Sequence, residues 1–254
     1  VTADPGSLLP IGAALFSFTN PDGLLVSQAG VGASLPISSG RIFVDESGAQ
    51  TGIALANVSS QASTVNLVLR DASGAEVSRK SLSLLAGRHI ATFIFQEFPG
   101  LPQAFTGSLT FECNQKLAAI TLRQSQNRRG EPLYTTLPVV DLAAAPSSNP
   151  LIFPQIAAGD GYTTQLILIN PGSQRLTGTV RFRANDGAPL TLRLNGDPTS
   201  EFAYQVSPQG TYKAELDRPS GLAVGYAVVS PDAGTTSPSG SAVFQFKSDG
   251  FPVT

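Results

Sequence analysis

Along most of the chain, apolar and polar residues alternate one by one in runs of strand length, separated by short polar breaks. Such runs cover Gly52–Ala56, Thr64–Leu69, Ser108–Cys113, Leu117–Leu122, Gln165–Ile169, Thr177–Arg183 and Ser241–Phe246. A period of two sends one set of side chains to a core and the other to the opposite face, so each run predicts a β-strand. Asp71-Ala72-Ser73-Gly74, Asn185-Asp186-Gly187 and Ser248-Asp249-Gly250 sit between runs and contain residues that tolerate positive φ, which predicts chain reversals there. A turn or two of helix is expected near Phe93 to Phe98, stopped by Pro99 and Gly100. The predicted fold class is all-β.

The pattern repeats. Thr51-Gly-Ile-Ala-Leu-Ala-Asn57 aligns with Thr164-Gln-Leu-Ile-Leu-Ile-Asn170, and the match runs without a gap through Gly74-Ala75 and Gly187-Ala188. One face stays apolar in both copies: Ile53 with Leu166, Leu55 with Leu168, Leu67 with Val180, and Leu69 with Phe182. Upstream, Arg41-Ile42-Phe43-Val44 is matched with Leu151-Ile152-Phe153-Pro154. The expectation is two tandem Ig-like antiparallel β-sandwich domains, at 19–142 and 151–254, joined by a linker of small and proline residues at 143–150.

A second likeness links the two ends. Ala14-Leu-Phe-Ser-Phe18, followed by Asp22-Gly-Leu-Leu-Val-Ser27, resembles Ala242-Val-Phe-Gln-Phe246, followed by Asp249-Gly-Phe-Pro-Val-Thr254. In the second domain this hairpin is expected to close the sandwich, and in the first Pro132-Leu-Tyr-Thr-Thr-Leu-Pro138 is expected to take that place. Residues 1–18 then form a surplus apolar strand. It either adds to the edge of its own domain or completes a sheet in a neighbouring molecule through Leu8, Leu9, Ile11, Leu15, Phe16 and Phe18. Each of these side chains, once buried, contributes about 1.5–3 kcal/mol.

Composition narrows the function. Charged residues make up 13% of the 254-residue chain, against roughly 25% in soluble proteins generally. The formal charge is −2 and the basic residues are scattered, which argues against nucleic acid as a partner. The longest apolar stretch, around Leu8 to Phe18, is interrupted by Pro10 and Gly12, so no membrane-spanning helix is expected. The sequence starts at Val1 and has no Met, from which removal of a signal peptide and an extracellular or cell-surface location are expected. One cysteine, Cys113, allows no internal disulfide.

The residues offer little catalytic chemistry. A single histidine, His89, rules out a two-histidine zinc motif, and neither G-x-S-x-G nor a phosphate-binding glycine loop occurs. His89 and Cys113 could in principle form a nucleophilic pair. Cys113, however, alternates with Leu109 and Phe111 on one strand face, where a free cysteine acts as a small hydrophobe. Asp45-Glu46, Asp160 and Asp186 read as turn residues rather than calcium ligands, so no cofactor or metal is expected. The Arg123–Gly130 segment reads as a solvated hairpin tip. Asn57-Val58-Ser59 is a formal glycosylation sequon, making Asn57 a candidate attachment point against a bland reading as a turn residue. The Thr235–Ser241 run could carry O-linked sugar.

The end hairpin, the Thr51–Asn57 strand and the Tyr162-Thr-Thr-Gln-Leu-Ile-Leu-Ile-Asn-Pro-Gly172 stretch resemble repeats of unknown function in secreted bacterial proteins. The tandem architecture with its apolar N-terminal extension also resembles subunits of extracellular, pilus-like filaments polymerised by donor-strand insertion. That resemblance implies a non-enzymatic structural protein whose partner is another copy of itself, in a head-to-tail homopolymer. The rival expectation is an adhesive or carbohydrate-binding sandwich module whose partners are surface glycans. The lack of tryptophan disfavours sugar stacking.

Overall fold

The computed structural model describes Gly6 and residues 12–253. It is nearly all-β, built of antiparallel sheets with one short helix and no barrel. The strands of the first half are β1 (Ala13–Thr19), β2 (Leu25–Gly32), β3 (Ile37–Asp45), β4 (Gln50–Ala56), β5 (Ser63–Asp71), β6 (Glu76–Leu84) and β7 (His89–Phe93). The helix α1 (Ile94–Glu97) follows, then β8 (Thr106–Gln126), β9 (Pro132–Leu137) and β10 (Val140–Asp141). The second half holds β11 (Leu151–Ala158), β12 (Tyr162–Ile169), β13 (Leu176–Ala184), β14 (Leu192–Leu194) and β15 (Asp197–Thr199). It continues with β16 (Glu201–Val206), β17 (Thr211–Asp217), β18 (Ala223–Pro231), β19 (Ser239–Ser248) and β20 (Phe251–Pro252). Residues 143–150 between the halves lie outside strand structure and are exposed.

In each half two sheets enclose a hydrophobic core. The first core gathers Ile42, Ile53, Leu55, Leu67, Leu69, Leu109 and Phe111. The second gathers Phe153, Leu166, Leu168, Val180, Phe182, Ala227 and Val229. The eight residues paired by the sequence repeat are all buried. The same pairings recur: β5 lies between β6 and β8 as β13 lies between β16 and β18, and β4 lies between β7 and β8 as β12 lies between β17 and β19.

One strand accounts for a difference from the sequence reading. β8 is 21 residues long; its first part pairs with β3 and β5, and its second part pairs with β4 and β9, so it passes from one layer into the other. Ile53 opposes Thr121 on β8, and Leu166 opposes Ala242 on β19. The counterpart of β19 is therefore the end of β8, and Pro132–Leu137 is an additional strand outside it. The upstream match also moves by one residue. Ile42 faces Leu109, which faces Leu69, while Phe153 faces Ala227, which faces Phe182. Ile42 thus answers to Phe153, and a one-residue slip exchanges the two faces of a strand.

The polar residues that bracket the repeat do the same work twice. The Thr51 hydroxyl accepts from the Asp45 backbone N–H at 2.9 Å, and the Thr164 hydroxyl accepts from Ala157 N–H at 3.0 Å. The Asn57 Nδ2 donates to the carbonyls of Gln61, Leu84 and Leu85. Asn170 Nδ2 donates to those of Gln174, Val206 and Ser207. Both asparagines are buried.

Candidate functional site

The two halves meet through a packed joint. Ile167 and Ile169 on the outer face of β12 bury against Phe43, Leu137 and Val140 of the first half. β12 is therefore covered on both faces, which explains why its sequence is apolar nearly throughout. The Asp45 carboxylate, 1% exposed, lies 3.6 Å from Arg123 and 3.2 Å from Lys213. Arg123 also reaches Gln165 at 3.3 Å. The Arg123 end of the basic segment, expected to be solvated, is thus buried in the joint, whereas Arg128 remains exposed and lies 3.5 Å from Asp249. The Arg41 guanidinium donates to the Asn170 carbonyl at 2.5 Å and to Thr110 Oγ1 at 2.9 Å. Burial, with Arg70 nearby, pulls its pKa down to about 10.

The N-terminal hairpin stands differently. Among the described residues β1 and β2 pair only with each other, forming a two-stranded sheet. Side-chain bonds hold it to β9: Tyr134 N–H donates to Ser27 Oγ at 2.8 Å, and Thr136 Oγ1 donates to the Gly30 carbonyl at 2.8 Å. Asn20 donates to Glu131 at 2.9 Å, and the bond from Arg129, followed by those from Asn127 and Asn20, takes the Glu131 pKa down to about 2. Of the predicted interface residues, Leu15 is 72% exposed, Phe16 is 46% exposed and meets Tyr134 edge-on at 5.1 Å, and Phe18 is half-buried. Leu8, Leu9 and Ile11 lie outside the described residues.

Two grooves border these elements. Phe16 and Val31 form one wall of a groove of about 540 Å³, opposite Gly52, Ala54, Phe93, Ile120 and Leu122 on the outer face of the β4–β8 sheet. Apart from Thr92 and Gln96 its lining is apolar. A second groove, of about 370 Å³, runs between Ser241–Gln245 of β19 and Leu133–Pro138. There β19 pairs with β12 on one edge, and on the other with β20, which opposes Lys247 and Ser248 and is followed by Val253, whose N–H donates to the Phe246 carbonyl at 2.9 Å.

The remaining candidates are placed as follows. The Asn57 side-chain nitrogen, the atom that would carry a glycan, is the buried donor of three hydrogen bonds. Cys113 is half-buried beside the first core, donates to the Ser38 carbonyl at 3.1 Å, and burial pushes its pKa up, which disfavours the thiolate. His89 is exposed at the start of β7, in the sheet opposite the part of β8 that carries Cys113. Asp160, in a positive-φ turn, accepts from Gly221 and Leu222 N–H groups. No group of three His, Cys, Asp or Glu suited to a metal occurs among the described residues, and none of their helices is long and apolar enough to cross a membrane.

No protein-family model matches the sequence, and no curated protein matches it. Two solved structures are weakly similar. The crystal structure of Thermotoga maritima 1070 shows 10% identity and a TM-score of 0.34, over 40% of this chain and 91% of that one. The PBSX exported protein XepA shows 13% identity and a TM-score of 0.27, over 85% of this chain and 86% of that one. Overlap at this level defines no shared fold family. The chain belongs to the all-β class, with antiparallel sheets packed as β-sandwiches.

Proposed function

We propose that this protein is a structural subunit of an extracellular filament or pilus-like fibre, working without catalysis and joined head to tail through its N-terminal segment. One observation carries the reading: among the described residues β1 and β2 pair only with each other, in a two-stranded sheet that exposes Leu15 and Phe16. Open edges of this kind are templates for pairing with another chain. Insertion of the N-terminal segment into a different surface of a neighbouring copy is a heterologous contact, which builds a fibre where the rotation between copies does not close a ring. A sparsely charged, Ser- and Gly-rich β-fold suits a load-bearing extracellular role.

Sedimentation velocity across a concentration series tests this. Species that grow without a fixed limit are expected. A single 26.3 kDa species, or a closed dimer that grows no further, would overturn the proposal.

A further inference from the structure

Two arginines of the first half are withdrawn from water without a counter-charge. Arg41 on β3 and Arg70 on β5 stand on the same face of their sheet, on either side of β8, with Arg41 directly opposite Thr110 and Arg70 directly opposite Ser108. The second half covers this face. Phe43, next along β3, packs against Ile167 and Ile169, and Arg41 donates to the Asn170 carbonyl at 2.5 Å. Beside Arg70, the Ala72 carbonyl in the turn after β5 accepts from the Thr211 N–H at 3.0 Å. The fit there is close, since a Cβ on Gly210 would stand 2.6 Å from that carbonyl. Arg41 is left 3% exposed, Ser108 is fully buried, and Arg70 is half-buried.

The hydrogen bonds on this face are incomplete. Arg41 Nε donates to Thr110 Oγ1 at 2.9 Å, and Arg70 Nη1 donates to the Gly74 carbonyl at 3.3 Å. Arg70 Nε and Ser108 Oγ, on directly opposed residues, are both buried and both without a partner. Among the described residues no carboxylate forms an ion pair with either guanidinium. Glu112 acts on Arg41, and Glu76 on Arg70, only as more distant charges, and Glu76 is already bonded to Arg79 at 2.6 Å. After burial, the charge of Arg70 is the next cause of the low Arg41 pKa. Two like charges taken out of water together are strongly unfavourable unless an opposite charge and further hydrogen bonds compensate them.

We infer that the joint between the halves binds a small monatomic anion of the chloride class, held by Arg70 Nε and Ser108 Oγ, with Arg41 supplying a second positive charge from across β8. Directly opposed side chains on neighbouring strands have their Cβ atoms about 4.5–5.5 Å apart, so one spherical acceptor can serve both free donors. A halide accepts from an N–H and an O–H in any direction and asks for no donor site of its own. A water molecule would satisfy the same two bonds and leave both charges uncompensated. The anion belongs to the face that the second half covers, so it stabilises the joined arrangement and is released when the halves separate. This site is independent of the fibre reading.

Thermal unfolding of the full chain in mixtures of sodium chloride and sodium gluconate, at constant total salt, tests the site. Above the dissociation constant, each tenfold increase in chloride should raise the melting temperature by about 3–5 °C. Arg70→Met keeps the length of the side chain and removes its charge, whereas Ser108→Ala removes one donor and leaves both arginines. The chloride-dependent rise should vanish in Arg70→Met and shrink in Ser108→Ala, which serves alone if the first variant does not fold. In crystals grown with sodium bromide, an anomalous peak should lie between Arg70 and Ser108. A parent chain that melts at the same temperature in both salts would overturn the proposal. So would a rise of equal size in the parent and the folded variants, which marks a general salt effect, or a bromide crystal with no anomalous peak between those side chains.

Discussion

Asn57 and Asn170 hold equivalent loops in the two halves, each through one side-chain nitrogen donating to three backbone carbonyls. Those carbonyls lie at the last residues of β6 and β16, Leu84 and Val206, and in the connections beside them, so the amide caps the point where each ladder stops. Removing it strands buried acceptors, each at about 1–3 kcal/mol. Asn57→Ala is expected to lower stability by about 2–4 kcal/mol in urea unfolding. Intact-mass spectrometry of the protein should find no sugar at Asn57.

The repeat was legible because these bracketing residues recur with the strands between them. Thr51 and Asn57, like Thr164 and Asn170, combine a strand pattern with side-chain duties that few other residues meet. The closing strand was not legible, because β8 crosses from one sheet to the other within one continuous alternating run, and periodicity does not record which layer a strand occupies. The upstream match slipped because β11 changes register between Phe153 and Ile156, a bulge that adds residues to one strand only. Arg123 was read as solvated from its charged neighbours, although it shares a strand face with Thr121 and Ser125, all three buried. The hairpin's apolar residues were visible in the sequence, whereas its standing apart as a two-stranded sheet required the pairing map.

The joint between the halves depends on Asp45. Its carboxylate faces Arg123 and Lys213 and also accepts from the Ser47 backbone N–H at 2.9 Å. Asp45→Ala leaves the buried Arg123 without its counter-charge, a loss of about 3–5 kcal/mol. Calorimetry should show the variant melting earlier, with the second half unfolding separately from the first.

Tyr204 is buried, and its hydroxyl has no hydrogen-bond partner. Burial, with a smaller contribution from Asp232, pushes its pKa from 10.0 up to about 12. A raised acid pKa gives stability that is complete below pH 10 and lost as pH climbs toward 12, because the unfolded chain releases the proton first. Tyr204→Phe removes the unpaired hydroxyl, so at neutral pH its stability should stay within about 1 kcal/mol of the parent or rise. Between pH 10 and 12 the variant should lose less stability than the parent, measured as denaturation midpoints in parallel pH series.

The most direct test of head-to-tail assembly is negative-stain electron microscopy of the full chain beside a chain lacking residues 1–32, at equal concentration. The deletion removes β1 and β2 and stops short of β3, so the sandwich core is retained. Regular fibres from the full chain and separate particles from the truncated one are expected. Separate particles from both, or fibres from both, would contradict the account.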